Sequence, residues 1–208
     1  MKLDPGHAKR CEEFPSACWE RYNDTSNPRW DPLRERLDYI VSCAKKSPVI
    51  DIGCAEGTTC VLLARAGFIS IVGVDLSAKQ LEQAERILQT QSPAVVAQIQ
   101  LEKAWAEQLP FSDSKFNTVV MTETLEHVQD ASTAAQEADR VLRKNGRVVV
   151  SVPFRGKISE LHLRKFTSEE DVTKLFPASY EWRKWKVIHH LPKPKAWLIG
   201  YGIKGGAK

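Results

Sequence analysis

The sequence predicts an α/β protein: a doubly wound, mostly parallel seven-stranded sheet that ends in an antiparallel β-hairpin. Three observations carry that expectation. From Pro48 to Pro153, β-branched runs of four to six residues alternate with helical runs of ten to fifteen, and parallel strands need crossovers of that kind. The first of these strands ends in a glycine turn, Asp51-Ile-Gly53-Cys-Ala55-Glu-Gly57, the place where open α/β sheets bind ligands. Beyond Pro153 the alternation stops, and two strand-like runs at 181–188 and 195–203 are joined by a proline-containing link.

Taken in order, the first 30 residues are polar, with aromatics at Phe14, Trp19, Tyr22 and Trp30. Asp31-Pro32 supplies a cap followed by proline at the first helical position. Leu33, Leu37, Ile40 and Val41 recur at helical spacing, so a helix is expected to about Ala44, with Pro48 beyond it. The strand PVIDIG follows, then an apolar helix through Leu62 and Leu63 to Ala66-Gly67. After the strand IVGVD, Ser77 can cap the helix AKQLEQAERILQ. A strand AQIQLEKA, a loop at Leu109-Pro110 and a strand NTVVMT continue the pattern. The helix STAAQEADRVLR leads to Asn145-Gly146, a turn signal, and then to the strand RVVVSVP. Ser168 can cap a short helix, EEDVTKLF, before the hairpin. Residues 1–46 therefore read as a leading helical segment and 47–208 as a single domain.

Bulk properties exclude several classes of protein. A 208-residue chain can bury roughly 70% of its unfolded surface and needs no staples. The longest apolar stretches, such as Ile69 to Val74, fall far short of the ~20 residues of a membrane span. The N-terminus has no apolar run after its basic residues, so no secretory signal is expected. Five cysteines with no CxxC pair argue against a zinc site or disulfide framework and for reduced thiols, hence for the cytoplasm. The net charge of +4 hides a division. Positions 1–140 carry 15 Lys and Arg against 21 Asp and Glu, whereas positions 141–208 carry 15 against 5.

The glycine turn has a chemical partner. Gly53 allows a tight turn, Ala55 lets the backbone approach a ligand, and Gly57 lets the next helix start close to the sheet. The second strand ends at Asp75, 24 residues after Asp51, where a carboxylate can accept hydrogen bonds from both hydroxyls of a ribose. A dinucleotide fingerprint would place its last glycine at Thr58, one residue further on, which disfavours a nicotinamide oxidoreductase.

The D-x-G-x-A-x-G pattern at 51–57 resembles the first motif of the class I S-adenosylmethionine (SAM) dependent methyltransferases, whose fold is Rossmann-like. Asp75 matches that family's second motif. AEQLPFSDSKFNTVV, LEHV, VLRKNGRVVVSVP and HLRKFTSEED resemble its later segments in order, so the resemblance covers roughly residues 48–175. It implies that Asp51, Gly53, Ala55 and Gly57 border the methionine part of SAM and that Asp75 holds the ribose. Leu76 would then pack on adenine, with Ala106 and Glu107 at its edge. The leading segment would form a lid. Two positions depart from the family pattern. Trp105 stands where an aspartate is frequent, and an indole cannot accept the adenine amino proton. Asn117 replaces the aspartate of the usual "FD".

Methyl transfer from a sulfonium is an in-line displacement that needs alignment, exclusion of water and, for some acceptors, removal of a proton. Glu123, Glu126 and His127 follow the strand NTVVMT at spacings that share one helical face. Two carboxylates and an imidazole suit either a divalent cation or a histidine base oriented by a carboxylate. E-x-x-E-H resembles metal-ligating segments of the ubiquinone-biosynthesis O-methyltransferases and of small-RNA 3′-terminal 2′-O-methyltransferases. In the RNA group a further downstream histidine completes the site, and His162 is the candidate here. LEHV also occurs across the superfamily without metal, so a cation is not the expectation, and His127 is the candidate catalytic residue.

Arg155, Lys157, Arg164 and Lys165 follow the fifth strand, where acceptor-binding insertions lie in this family. Arg183, Lys184, Lys186, Lys193 and Lys195 interleave with Trp182, Trp185 and Trp197 on the hairpin. Such a surface can track phosphates and stack bases, attract a small anionic acceptor, or simply be a solvated edge with tryptophans turned to the core. The expectation is methyl transfer to oxygen or nitrogen of a small, possibly anionic acceptor. The alternatives are an RNA methyltransferase and a non-catalytic SAM-binding protein.

Overall fold

A computed structural model describes residues 16–154, 162–190 and 195–205, with Asp4, Gly6 and Glu12 as isolated positions; of His190 and Lys195 it describes the backbone alone. Arg155, Lys157 and Lys193 lie outside the described residues. The sheet has seven strands: β1 Val49–Ile52, β2 Ile71–Asp75, β3 Ile99–Lys103, β4 Phe116–Thr122, β5 Leu142–Phe154, β6 Glu181–His190 and β7 Lys195–Ile203. Their spatial order is β3-β2-β1-β4-β5-β7-β6. The first five run parallel, and β7 inserts antiparallel between β5 and β6. The order reverses between β1 and β4, so a crevice opens at their carboxyl ends.

The central strands are buried along their whole length, Val49 to Ile52 without interruption, as parallel strands covered on both faces must be. One layer packs Ile50, Ile52, Met121, Leu125 and Val150 against the helix Ala131–Val141. The opposite layer packs Val49, Ile71, Val120 and Val149 against Ile40 and Leu63.

The helices are α1 Cys18–Asn23, α2 Asp31–Cys43, α3 Thr58–Arg65, α4 Ala78–Gln89, α5 Pro93–Val96, α6 Ala131–Val141 and α7 Glu170–Thr173, with a 3₁₀ turn at Pro28–Trp30. Ser77 caps α4 by accepting from the Gln80 N–H at 3.2 Å. Asp130 caps α6 through the N–H groups of Ser132 and Thr133. Two short pieces, α1 and α5, carry too few apolar repeats to be read from sequence. The turn signal at Asn145-Gly146 falls inside β5 instead of before it. Asn145 takes a left-handed φ of 60° and its N–H bonds to Lys204 O at 3.0 Å, so the chain bends without leaving the sheet. Among the described residues no helix is long and apolar enough to cross a membrane.

Candidate active site

A cavity of about 230 Å³ lies at the carboxyl ends of β1, β2 and β4. Eight of the residues expected to bind or react line it: Gly53, Ala55, Asp75, Leu76, Ala106, Glu107, Glu123 and His127. Asp51, Gly57 and Glu126 stand behind the wall and are absent from the lining.

The turn after β1 has the backbone that its glycines permit. Gly53 has φ +77° and Gly57 has φ +76°. A Cβ on Gly53 would stand 2.5 Å from Thr124 Oγ1, which is itself fixed by donating to Ile52 O at 2.8 Å. Gly57 starts α3, and a Cβ there would lie 3.2 Å from Ala84 Cβ on α4. Ala55 also takes a left-handed φ, +47°, a conformation that costs a non-glycine residue on the order of 1–3 kcal/mol. Its N–H donates to Asp75 Oδ2 at 2.8 Å. The Ser77 N–H donates to Asp75 Oδ1 at 2.9 Å. Both carboxylate oxygens are therefore aimed by backbone, and each keeps a lone pair toward the cavity. Burial raises the Asp75 pKa, and these N–H bonds pull it back.

Asp51 sits beneath the turn, 1% exposed. Its Oδ2 accepts from the Cys60 thiol at 3.5 Å, while its Oδ1 has no hydrogen-bond partner among the described residues. Burial pushes its pKa up to about 7.

Glu107 lines the cavity, and its Oε1 accepts the N–H groups of Gln129 at 2.8 Å and Asp130 at 3.3 Å. It thereby fixes the loop that carries His127. Trp105 lines the cavity beside Ala104 and Ala106. Asn117 donates from its amide to Ser47 O, tying the entrance of β4 to the segment before β1. Gln80 and Ser16 also line the cavity; neither lies in a motif, so spacing alone had no means of finding them.

The acidic cluster divides. Glu123 follows β4 with φ +54°. Its Oε1 accepts from Ser151 Oγ at 2.8 Å and faces Arg36 Nη1 at 3.3 Å. Glu126 is fully buried, and neither of its side-chain oxygens has a hydrogen-bond partner among the described residues. Burial, and then the charge of Glu123, push its pKa well above the carboxylate range. His127 Nε2 stands 3.9 Å from Glu126 Oε1, and the His127 and His162 rings meet edge-to-face at 4.8 Å. One donor atom from each of Glu126, His127 and His162 lies within 4.8 Å of the others. Of the candidate metal residues, Glu126 and His127 lie together with His162, the further histidine considered from sequence, whereas Glu123 faces Arg36 and Ser151. Residues 123–128 do not form a regular helix, so the helical-face argument that grouped Glu123 with the other two fails.

Much of the basic third works inside the fold. Arg164 donates to the carbonyls of Leu125, Val128 and Gln129, closing the loop behind His127. Arg147 donates to Cys43 O, and Lys204 donates to the carbonyls of Asp139 and Leu142. Lys186 pairs with Glu35 at 2.7 Å. Trp182 and Trp185 stack 5.2 Å apart and pack against the core; Trp185 lies over Gly200. In the leading segment, Tyr22 donates to Asp38, Trp19 stacks under Arg65, and Trp30 lies under Arg21 and Arg29. None of these three aromatics lines the cavity, whereas Ser16 does.

Comparison with known proteins agrees with this architecture. Residues 50–150 match the family model described as a methyltransferase domain. The chain is 29% identical to a 27-O-demethylrifamycin SV methyltransferase of Amycolatopsis mediterranei over 67% of its own length and 50% of that protein's. It is 29% identical to a ubiquinone biosynthesis O-methyltransferase of Ralstonia nicotianae, over 84% of this chain and 71% of that one. The chain spans about half the length of the first curated relatives it matches. Magnesium protoporphyrin IX methyltransferase from Synechocystis PCC 6803, solved with bound S-adenosylhomocysteine (SAH), shares the fold at a TM-score of 0.71. It has 16% identity and covers 90% of this chain and 93% of that one. The matched motifs, the Rossmann-like sheet and these relatives agree that the chain belongs to the class I S-adenosylmethionine-dependent methyltransferase family.

Proposed function

We propose that the protein transfers the methyl group of SAM to oxygen or nitrogen of a small-molecule acceptor. One observation carries this reading: a single cavity runs from Asp75, whose two oxygens are both aimed by backbone N–H groups, to Glu123 and His127 beyond β4. Asp75 holds the ribose, with Leu76 and Ala106 on either side of the adenine. Gly53 and Ala55 carry the methionine part where a Cβ on Gly53 would collide with Thr124. Asp51 and Gly57 support that turn from behind. SAM supplies an activated methyl group together with its own leaving group, so no covalent enzyme intermediate is required.

This chain's residues then align the acceptor and exclude water. His127 is the candidate catalytic residue: it lines the cavity, with Glu126 Oε1 3.9 Å from its Nε2. Proton removal by His127 suits a hydroxyl or ammonium acceptor. Glu126, His127 and His162 also form the one group of donors that suits a divalent cation among the described residues. The buried oxygens of Glu126 accept no hydrogen bond among the described residues, so a proton or a cation must neutralise them, and we propose the proton.

The relatives support a small acceptor, since their names are those of O-methyltransferases acting in small-molecule biosynthesis. Nothing in the described hairpin favours RNA, because its tryptophans pack inward and Lys186 is paired. A cytoplasmic location suits the four described cysteines, which are free thiols. The test is transfer of radiolabelled methyl from SAM to a panel of phenols, alcohols and amines. Methylated product that disappears with His127→Ala supports the reading. SAH bound with no transfer to any class leaves a binding protein instead.

A further inference from the structure

The cavity wall has a direction. Across the sheet, Asp75 and Leu76 end β2 and Ala106 follows β3, whereas Glu123, Thr124 and His127 follow β4 on the far side of β1. With the adenosine at Asp75, the transferable methyl lies toward Glu123. The inference rests on that reading.

Glu123 is held there by an elaborate support. Its backbone is left-handed at φ +54°, a strain that persists only where the surroundings enforce it. Its N–H donates to Ser151 O at 2.9 Å, and Ser151 Oγ donates back to its carboxylate at 2.8 Å. Burial raises the Glu123 pKa, and Arg36, Ser151 and Trp197 pull it back. Behind Glu123, Arg36 of α2 is only 5% exposed and lies 4.8 Å over the Trp197 ring. Burying a guanidinium is costly unless a carboxylate faces it, and Glu123 is the one carboxylate within ion-pair distance of Arg36 among the described residues. No described Lys or Arg lines the cavity, whose charged wall is Asp75, Glu107 and Glu123.

We propose that Glu123, anchored from behind by Arg36, is the acceptor-recognition group of the cavity. It selects methyl acceptors that present a neutral hydrogen-bond donor or a cationic nitrogen, and it rejects those that place a carboxylate or phosphate there. A fixed carboxylate can only accept hydrogen bonds, and it repels a second anion. Arg36 does not line the cavity; it is a positioning residue that acts through Glu123. A neutral or cationic acceptor is favoured over the small anionic one expected from the basic C-terminal third, because none of the described basic side chains of that third lines the cavity.

The experiment needs no acceptor. Sinefungin is an SAH analogue with a protonated amine where the methyl group of SAM sits, so it probes the wall directly. Calorimetry on the full chain compares SAH with sinefungin. Wild type is expected to bind sinefungin about tenfold tighter or more, the scale of one charge-assisted hydrogen bond. Glu123→Gln should keep SAH affinity within about threefold and lose the preference. Arg36→Met should also lose it, and Arg36→Lys should retain part, which separates positioning from a fold defect. Equal binding of the two ligands by wild type, or an intact preference in Glu123→Gln, overturns the proposal. Absence of SAH binding by wild type overturns the cofactor reading, and this inference with it.

Discussion

The Ala55 N–H donates to Asp75 Oδ2 at 2.8 Å, so the turn that ends β1 is fastened to the carboxylate that ends β2. The residue that sequence assigns to the ribose also holds the glycine turn in place. Replacing it removes both functions at once. Asp75→Ala should weaken SAH binding by at least about a hundredfold, the loss of two charge-assisted bonds. Asp75→Asn can still accept through one oxygen, so calorimetry should place it between the two. Unchanged affinity in Asp75→Ala would remove the site assignment.

Gly53 faces a different constraint. A Cβ there meets Thr124 Oγ1 at 2.5 Å, and φ is +77°. Gly53→Ala should lose about 2 kcal/mol or more of stability, read as a fall in Tm of roughly 5 °C. Gly57→Ala, whose Cβ meets Ala84 at 3.2 Å, should lose about 1 kcal/mol. A Gly53→Ala protein as stable as wild type would contradict the close approach of Thr124.

Asp51 gives a pH signature. Burial raises its pKa from 3.8 to about 7, so the native protein keeps a proton that the unfolded chain has already released. Stability due to this group is complete below 3.8, declines as pH rises toward about 7 and levels off above. The slope reaches at most about 1.4 kcal/mol per pH unit. Asp51→Asn should flatten that decline in denaturant titrations between pH 4 and 7, and it should be the more stable protein at pH 8. Parallel curves for the two proteins would show that Asp51 is ionised when folded.

The Glu126, His127 and His162 group makes a clean test of metal use. With a proton on Glu126, methyl transfer should survive EDTA unchanged, and His162→Ala should alter turnover by less than about threefold. Activity lost on chelation and restored by a divalent cation would assign those three residues to a metal instead.

The sheet was legible because its signals are local. β-branched runs, Ser77 as a cap and glycine at 53 and 57 are each decided within a few residues of chain. Asp75 was legible because a strand end fixes where its side chain points. The helix assumed over Glu123, Glu126 and His127 is absent, since the chain there makes an irregular loop closed by Arg164 from 35 or more residues away. Arg36 gave no signal at all: on α2 it reads as one charged residue among several, and only the packing of α2 against β7 and β5 brings it to Glu123. The charge of the last third says little by itself for the same reason: Arg147, Arg164 and Lys204 find their partners through long-range folding.

In the proposed function, one cavity holds the cofactor with its reactive end toward β4. A crystal structure with SAH tests it most directly. The expected result has ribose hydroxyls on the Asp75 carboxylate, adenine between Leu76 and Ala106, and the sulfur facing Glu123 and His127. SAH bound away from Asp75, or with its sulfur turned from Glu123 and His127, would contradict it.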